Sequence, residues 1–395
     1  MSIKLKGSTD GSVTLQAPAD TSPSGTDKTF TLPTQDGTAG QILKTDGSGA
    51  LSFTDNLASG RNLMINGAMQ VAQRGTSSTG NTTAFGYLAV DRFQTGIATA
   101  GTWTISQSTD APAGFSNSIK YDCTTADTSL DPGSELWIAQ KIEAQNLQHL
   151  NYGTADAQDC TFSFYFKTNK TGVYTVEIFQ ADATRTIGFE MNVTQTGWKR
   201  YEFIVPGDTA GTINNDNDIG LWCFIWMATG TNKTSGTFTN GSWAASVTTN
   251  RLSSNTVNFA DSTSNELYVT GYQFELGRKA TTFEHRTYGD ELARCHRYFA
   301  KVGGSRVPGG GGSATQVTLS LSAPAEMRAT PNVKDITVNS MVRYDGSGAG
   351  NMANANAAVG TSSGNMYSIN VSNLTSVTDN RTYFSNCSFS LDAEL

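Results

Sequence analysis

Between Arg61 and Phe283 the chain returns again and again to one pattern, a large apolar side chain followed by a polar one. It is seen in "TFSFYFKT", "VYTVEIFQ", "TIGFEMNVT", "KRYEFIVP", "IGLWCFIWMAT" and "NELYVTGYQFEL". A period of two buries one face of a strand and cannot bury one face of a helix. The apolar members are aromatic and β-branched, the residues that pack best on a pleated surface. Turn clusters, "TNKTG", "TQTGW" and "GDTAGTINNDND", separate the runs, and no helical period lies between them. Many strands spaced this way form an antiparallel sandwich of the jelly-roll type. In "CTFSFYFK", Phe162, Phe164 and Phe166 then face the core, and Ser163, Tyr165 and Lys167 face away.

Charge narrows the partners. Only 15% of the 395 residues are charged, against roughly 25% in ordinary soluble domains, and Gly alone accounts for 40. Hydroxyls and amides solvate such a surface, as in extracellular β proteins. The net charge of -7 comes with no cluster of Lys and Arg, which excludes a nucleic-acid partner. The opening "MSIKLKGSTDG" holds no signal-peptide core, and no apolar run is long enough to span a membrane. Synthesis in the cytoplasm without a signal peptide, combined with an extracellular kind of surface, is what a virion component requires. Cys123, Cys160, Cys223, Cys295 and Cys387 are odd in number and far apart, so they read as free thiols rather than as a disulfide framework or a zinc site.

Four regions follow. Residues 1–57 hold short alternations, "SVTLQAP", "KTFTLP" and "GALSFTD", broken at Asp36-Gly37 and Asp46-Gly47 and too poor in apolar residues for a core of their own. They are expected to be stable by pairing with another chain or a docking surface. Residues 58–284 form the jelly roll, and 285–300 a connecting helix. "KVGGSRVPGGGGS" reads as a flexible joint, and 301–395 as a small C-terminal β domain built on short strands. The fold class is therefore all-β, with an extended N-terminal attachment segment.

Candidate chemistry is sparse. On the helix, Tyr288, Leu292, Cys295 and Phe299 share one stripe, Thr287 stands at the N-cap, and Asp290 and Arg294 are spaced as a pair. Cys295 thus belongs to the buried stripe, while His296 points elsewhere and His285 precedes the helix. With no third ligand or orienting partner in recognisable spacing, the region is a packed joint rather than a catalytic or metal site. Glu143, Glu177, Glu190 and Glu202 are the carboxylates open to a glycosidase reading, each within a strand alternation. In "NNDND", Asp216 and Asp218 could bind Ca²⁺ but also suit an ordinary turn, which is the preferred reading, so no cofactor is expected. Sugar recognition needs flat apolar faces with polar groups at their rims. Trp243, in a loop-like stretch, is the first candidate, followed by Trp222, Trp226 and Trp137 within strands; Trp198 reads as core.

"RNLMINGAMQVAQRG" followed by "YLAVDRF" resembles the opening of the carbohydrate-binding jelly-roll modules of tailed-bacteriophage tail fibres. "LWIAQKIE", "TFSFYFKTNKTGVYTV" and "GWKRYEFIVP" resemble their later strands, and "YQFELGRKATTFEHRTYGDELARCHRYF" the closing strand and following helix. The stretch "GSVTLQAPADTSPSGTDKTFTLPTQDGTAGQILKTDGSG" resembles the leader of such fibres, and "LSAPAEMRATPNV" the start of their small distal domain. The resemblance implies a non-enzymatic structural protein of the virion tail. It would be a homotrimer, joined to a tail or adaptor protein through residues 1–57 and contacting a host cell-surface glycan. A capsid-decorating fibre and a polysaccharide-degrading tailspike are the alternatives.

Overall fold

The computed structural model describes residues 2–6, 12–16, 27–37, 41–55, 60–313, 315–343, 356–374, 377 and 381–395. Two compact units divide the chain, Met1–Ser59 and Gly60–Leu395. The expected boundary after residue 57 falls outside the described residues, as do parts of the attachment segment and of the C-terminal domain.

The first unit carries two hairpins: β1 (Ser2–Lys6) pairs antiparallel with β2 (Ser12–Gln16), and β3 (Gln41–Thr45) with β4 (Leu51–Asp55). The Asp46-Gly47 turn forms as its sequence demands. Asp46 Oδ1 accepts from the Ser48 and Ala50 amides, and Gly47 takes a φ of 86° that favours glycine.

The second unit begins as a sandwich. Its strands are β5 (Ser77–Asn81), β6 (Ala84–Gly86), β7 (Gln94–Ala98), β8 (Thr102–Ser108), β9 (Ser118–Thr125), β10 (Glu135–Glu143), β11 (Cys160–Thr168), β12 (Gly172–Gln180), β13 (Arg185–Val193), β14 (Lys199–Val205), β15 (Ile219–Thr229), β16 (Ala244–Ala245) and β17 (Glu266–Leu276). Seven form one antiparallel sheet, ordered β16-β13-β12-β15-β10-β7-β6; six form the other, β14-β11-β17-β9-β8-β5. Phe162, Phe164 and Phe166 do face inward and are buried. Tyr272 lies 5.0 Å from Phe162, ring to ring, and Tyr174 of the opposite sheet 5.1 Å from Phe166. The first pair lies within one sheet, while Phe166–Tyr174, like Phe189 of β13 against Phe203 of β14 at 5.4 Å, joins the two sheets.

The connecting helix, α1 (Tyr288–His296), is capped by Thr287, whose hydroxyl accepts from the Asp290 amide at 3.2 Å. Its buried face departs from the expected stripe: Tyr288 is 57% exposed, and Glu291 lies inward with Cys295. Glu291 is tolerated there because its Oε2 accepts the Asn66 amide at 2.7 Å and Oε1 lies 3.3 Å from Arg286. Asp290 accepts the Thr287 hydroxyl.

Beyond the helix lie β18 (Phe299–Ser313), β19 (Gln316–Ser322), β20 (Asn332–Arg343), β21 (Asn356–Ser363), β22 (Met366–Ser372) and β23 (Thr382–Asp392), an antiparallel sheet ordered β20-β23-β18-β19-β22-β21. The Gly-rich stretch expected to be a flexible joint is instead β18, a central strand of this sheet. The glycines allow close approach: a Cβ at Gly303 would meet the Cys387 carbonyl oxygen at 2.2 Å, and one at Gly309 the Thr318 oxygen at 2.6 Å.

This sheet docks on the sandwich through charge. Glu143 at the end of β10 accepts from Arg297 Nε and Nη2, both at 2.8 Å, and from the Tyr298 hydroxyl. Buried Arg92 pairs with Glu394 and lies 3.3 Å from the Tyr298 ring centre, and Arg74 lies 3.7 Å from that of Phe299. Burial alone would raise the Glu143 carboxyl, but the Arg297 and Tyr298 hydrogen bonds outweigh it and hold the group below its ordinary 4.5. A carboxylate depressed on folding adds stability above its unfolded pKa and loses it as pH falls through the folded one. Glu143→Gln is expected to lower stability near neutral pH by about 3 kcal/mol and to flatten the acid limb of stability against pH below 4.5, checked by denaturant titration across pH.

Candidate functional site

The strand parity of β15 divides its side chains cleanly. Leu221, Cys223, Ile225 and Met227 enter the sandwich core, while Phe224 and Trp226 face outward with Trp137 of β10 and Leu252 in a separate cluster, with Trp222 against it. Trp137 packs edge-on to Trp222 at 5.8 Å and to Phe224 at 5.1 Å, and Phe224 stacks on Trp226 at 5.4 Å. The structure therefore brings together Trp137, Trp222 and Trp226. It leaves Trp243 elsewhere, half-buried against the main core, with its indole N–H donating to the Pro206 carbonyl at 2.6 Å. Trp198 is half-buried at the opposite sheet, donating to Asp110.

Most of this outer cluster is closed. The segment after β15 crosses it and is fastened by Arg251, which donates to both oxygens of Glu177 at 2.8 and 2.9 Å. Glu177 also accepts from Thr186 and from Trp226 Nε1, so a fully buried carboxylate has four donors. Trp137 and Trp226 are 3% and 1% exposed, so neither offers a face to a ligand.

The open aromatic beside them is Phe85 of β6, 55% exposed and 6.0 Å from Trp137. It forms one wall of a groove of about 600 Å³, whose other wall is the docked C-terminal sheet. Tyr87 and Phe299 line it with Arg74, Arg328, Asn332, Lys334, Asp335, Asp392 and Glu394. Lys334 lies 2.7 Å from Asp392, Arg74 lies 3.3 Å from Glu394, and Tyr87 donates to the Leu395 carbonyl at 3.2 Å. Burial raises the Glu394 carboxyl, and Arg92 and Arg74 oppose that. Burial aided by the Arg92 charge pulls the ammonium of Lys141, which donates to Leu395, down to about 8. Sequence reasoning missed these residues because they come from five separate places in the chain, Arg74, 85–88, Phe299, 328–335 and 392–395.

The other candidates take up structural duties. Asp216 Oδ1 accepts the Asp218 amide, and Asn217 exchanges hydrogen bonds with the Arg328 backbone and guanidinium, so the "NNDND" turn grips the loop between β19 and β20. Asp218 is 82% exposed, and among the described residues no three His, Cys, Asp or Glu side chains are grouped to hold a metal. Burial pushes the Cys295 thiol well up and the His296 imidazole down, which activates neither. His285 is exposed beside Phe115 and Phe283. Glu190 accepts from Ser253 and Asn255, and Glu202 is 48% exposed beside Arg200. None of Glu143, Glu177, Glu190 and Glu202 lines the groove.

No family model and no curated protein matches the sequence. Solved structures similar in part include the CBM22-1 xylan-binding domain of Paenibacillus barcinonensis Xyn10C, 8% identical, with a TM-score of 0.28 over 57% of this chain and 99% of that one. The family 11 carbohydrate-binding module of the Clostridium thermocellum cellulase Lic26A-Cel5E is 12% identical, with a TM-score of 0.25 over 53% and 99%. An arabinose-bound α-L-arabinofuranosidase, MgGH51, is 11% identical, with a TM-score of 0.26 over 56% of this chain and 30% of that one. Likenesses this distant carry no weight for function.

The buried cluster depends on one small residue of β7. A Cβ at Gly96 would fall 2.0 Å from Trp137 Cε2, inside the indole. Gly96→Ala is therefore expected to displace Trp137, cost about 1–3 kcal/mol and red-shift tryptophan emission, as read by thermal melting with fluorescence.

Proposed function

We propose that this chain is a non-enzymatic, sugar-binding subunit of a bacteriophage tail fibre, and that the groove between β6 and the C-terminal sheet is where it holds a host-surface glycan. One observation carries the reading. An exposed aromatic ring, Phe85, stands at the wall of a groove rimmed by amide, guanidinium and carboxylate groups. A pyranose needs that combination, an apolar face against its C–H groups and convergent donors and acceptors for its hydroxyls.

The fibre assignment rests on the sequence resemblance of residues 61–75 and 87–93 and of the N-terminal leader. Within the first unit, Phe30, Leu32, Ile42, Leu43 and Phe53 are 40% to 71% exposed, which supports a segment made to pair with other chains. Attachment to a tail or adaptor protein and trimerisation are proposed for it. Three copies would raise weak single-site binding through high effective concentration. Hydrolysis is disfavoured because all three groove carboxylates are held by protein partners, Glu394 by Arg92, Asp392 by Lys334 and Asp335 by the Ser390 hydroxyl.

Phe85→Ala is expected to weaken adsorption to host-surface polysaccharide roughly tenfold while shifting stability by less than about 0.5 kcal/mol, since the ring is exposed. Deleting residues 1–57 should abolish incorporation into virions and leave the thermal transition of the remainder in place. Normal incorporation without them would refute the attachment role, unchanged adsorption of Phe85→Ala the glycan site, and release of reducing ends the non-enzymatic reading.

A further inference from the structure

We propose that the groove takes a neutral sugar ring and discriminates against uronic acids and amino sugars, because its charges are matched within the protein. The inference rests on the glycan-binding reading and names the class of sugar. Three cations, Arg74, Arg328 and Lys334, and three anions, Asp335, Asp392 and Glu394, line the groove.

Each is committed to a protein partner. Lys334 lies 2.7 Å from Asp392, and Asp335 accepts the Ser390 hydroxyl at 2.6 Å. Arg328 donates to the Asn217 and Ala393 carbonyls at 2.8 and 3.0 Å and lies 3.7 Å from Asp218. Glu394 holds Arg92 through Oε2 and approaches Arg74 through Oε1. A ligand bearing a net charge would have to displace one of these partners or be desolvated with nothing left to neutralise it. A neutral ligand meets neither cost.

The polar atoms still in need of partners fit a hydroxyl. Arg74 Nη1 and Nη2 and Glu394 Oε1 are paired by charge but not by a hydrogen bond: Arg74 Nη2 lies 3.3 Å from Glu394 Oε1 and 3.7 Å from Asp392 Oδ1, and Arg74 Nη1 lies 3.7 Å from Asp91 Oδ1. Donors and an acceptor thus stand side by side just beneath the groove surface, each of these atoms itself buried while the side chains are 12% and 5% exposed. A hydroxyl can accept from the one and donate to the other, whereas a carboxylate only accepts and an ammonium only donates. Phe85 supplies the apolar face against which the same ring would lie.

The test is calorimetric titration of the full chain with a neutral hexose oligosaccharide, an oligogalacturonide and an oligoglucosamine, each at low and high salt. The neutral sugar should bind, with affinity changing less than about twofold with salt, and the charged ones should bind at least roughly tenfold more weakly. Lys334→Glu, at a side chain 57% exposed, should move the preference toward the oligoglucosamine. Salt-sensitive binding led by the oligogalacturonide or the oligoglucosamine, lost in Phe85→Ala, would overturn the selectivity and leave the site standing. No binding by any of the three, or neutral binding that survives Phe85→Ala, would overturn the glycan reading and this inference with it.

Discussion

One buried ion pair and one whose carboxylate alone is buried hold the groove together. Arg92, on the sandwich, has Glu394 of the C-terminal sheet as its partner, and Glu143 of the sandwich has Arg297 and Tyr298 from the end of the helix. A buried charge stripped of its partner is costly, so separating Arg92 from Glu394, or Glu143 from Arg297 and Tyr298, would leave a buried group unpaired. Aromatic contacts complete the joint, with Arg92 against Tyr298 and Arg74 against Phe299. The groove beside Phe85 is the space this docking leaves open.

The strands and inner faces were legible because alternation is local. In "IGLWCFIWMAT" the parity that sends Leu221, Cys223, Ile225 and Met227 inward also sends Trp222, Phe224 and Trp226 outward. Parity does not say whether the outward face stays open. That depends on Arg251 reaching Glu177 from a later segment, and the resulting lid buries two of the tryptophans that the sequence offered to a sugar.

The glycine-rich stretch and the groove were illegible for the same reason. Gly303 is required by the Cys387 carbonyl in a neighbouring strand, and only that neighbour turns a flexible-looking sequence into a central strand. The groove gathers Phe85, Lys334 and Glu394 across nearly the whole second unit, and no local pattern marks them as companions. A polar helix residue posed a smaller form of the problem, since Glu291 is buried to meet an amide far away in sequence at Asn66.

The most direct measurement is hydrogen exchange mapped along the full chain with and without host-surface polysaccharide. The account predicts new protection concentrated in residues 84–88, 328–335 and 392–395, which wall the groove. Protection confined to the segment over the Trp137–Trp226 cluster, to the loop that carries Trp243 or to the first unit would contradict it.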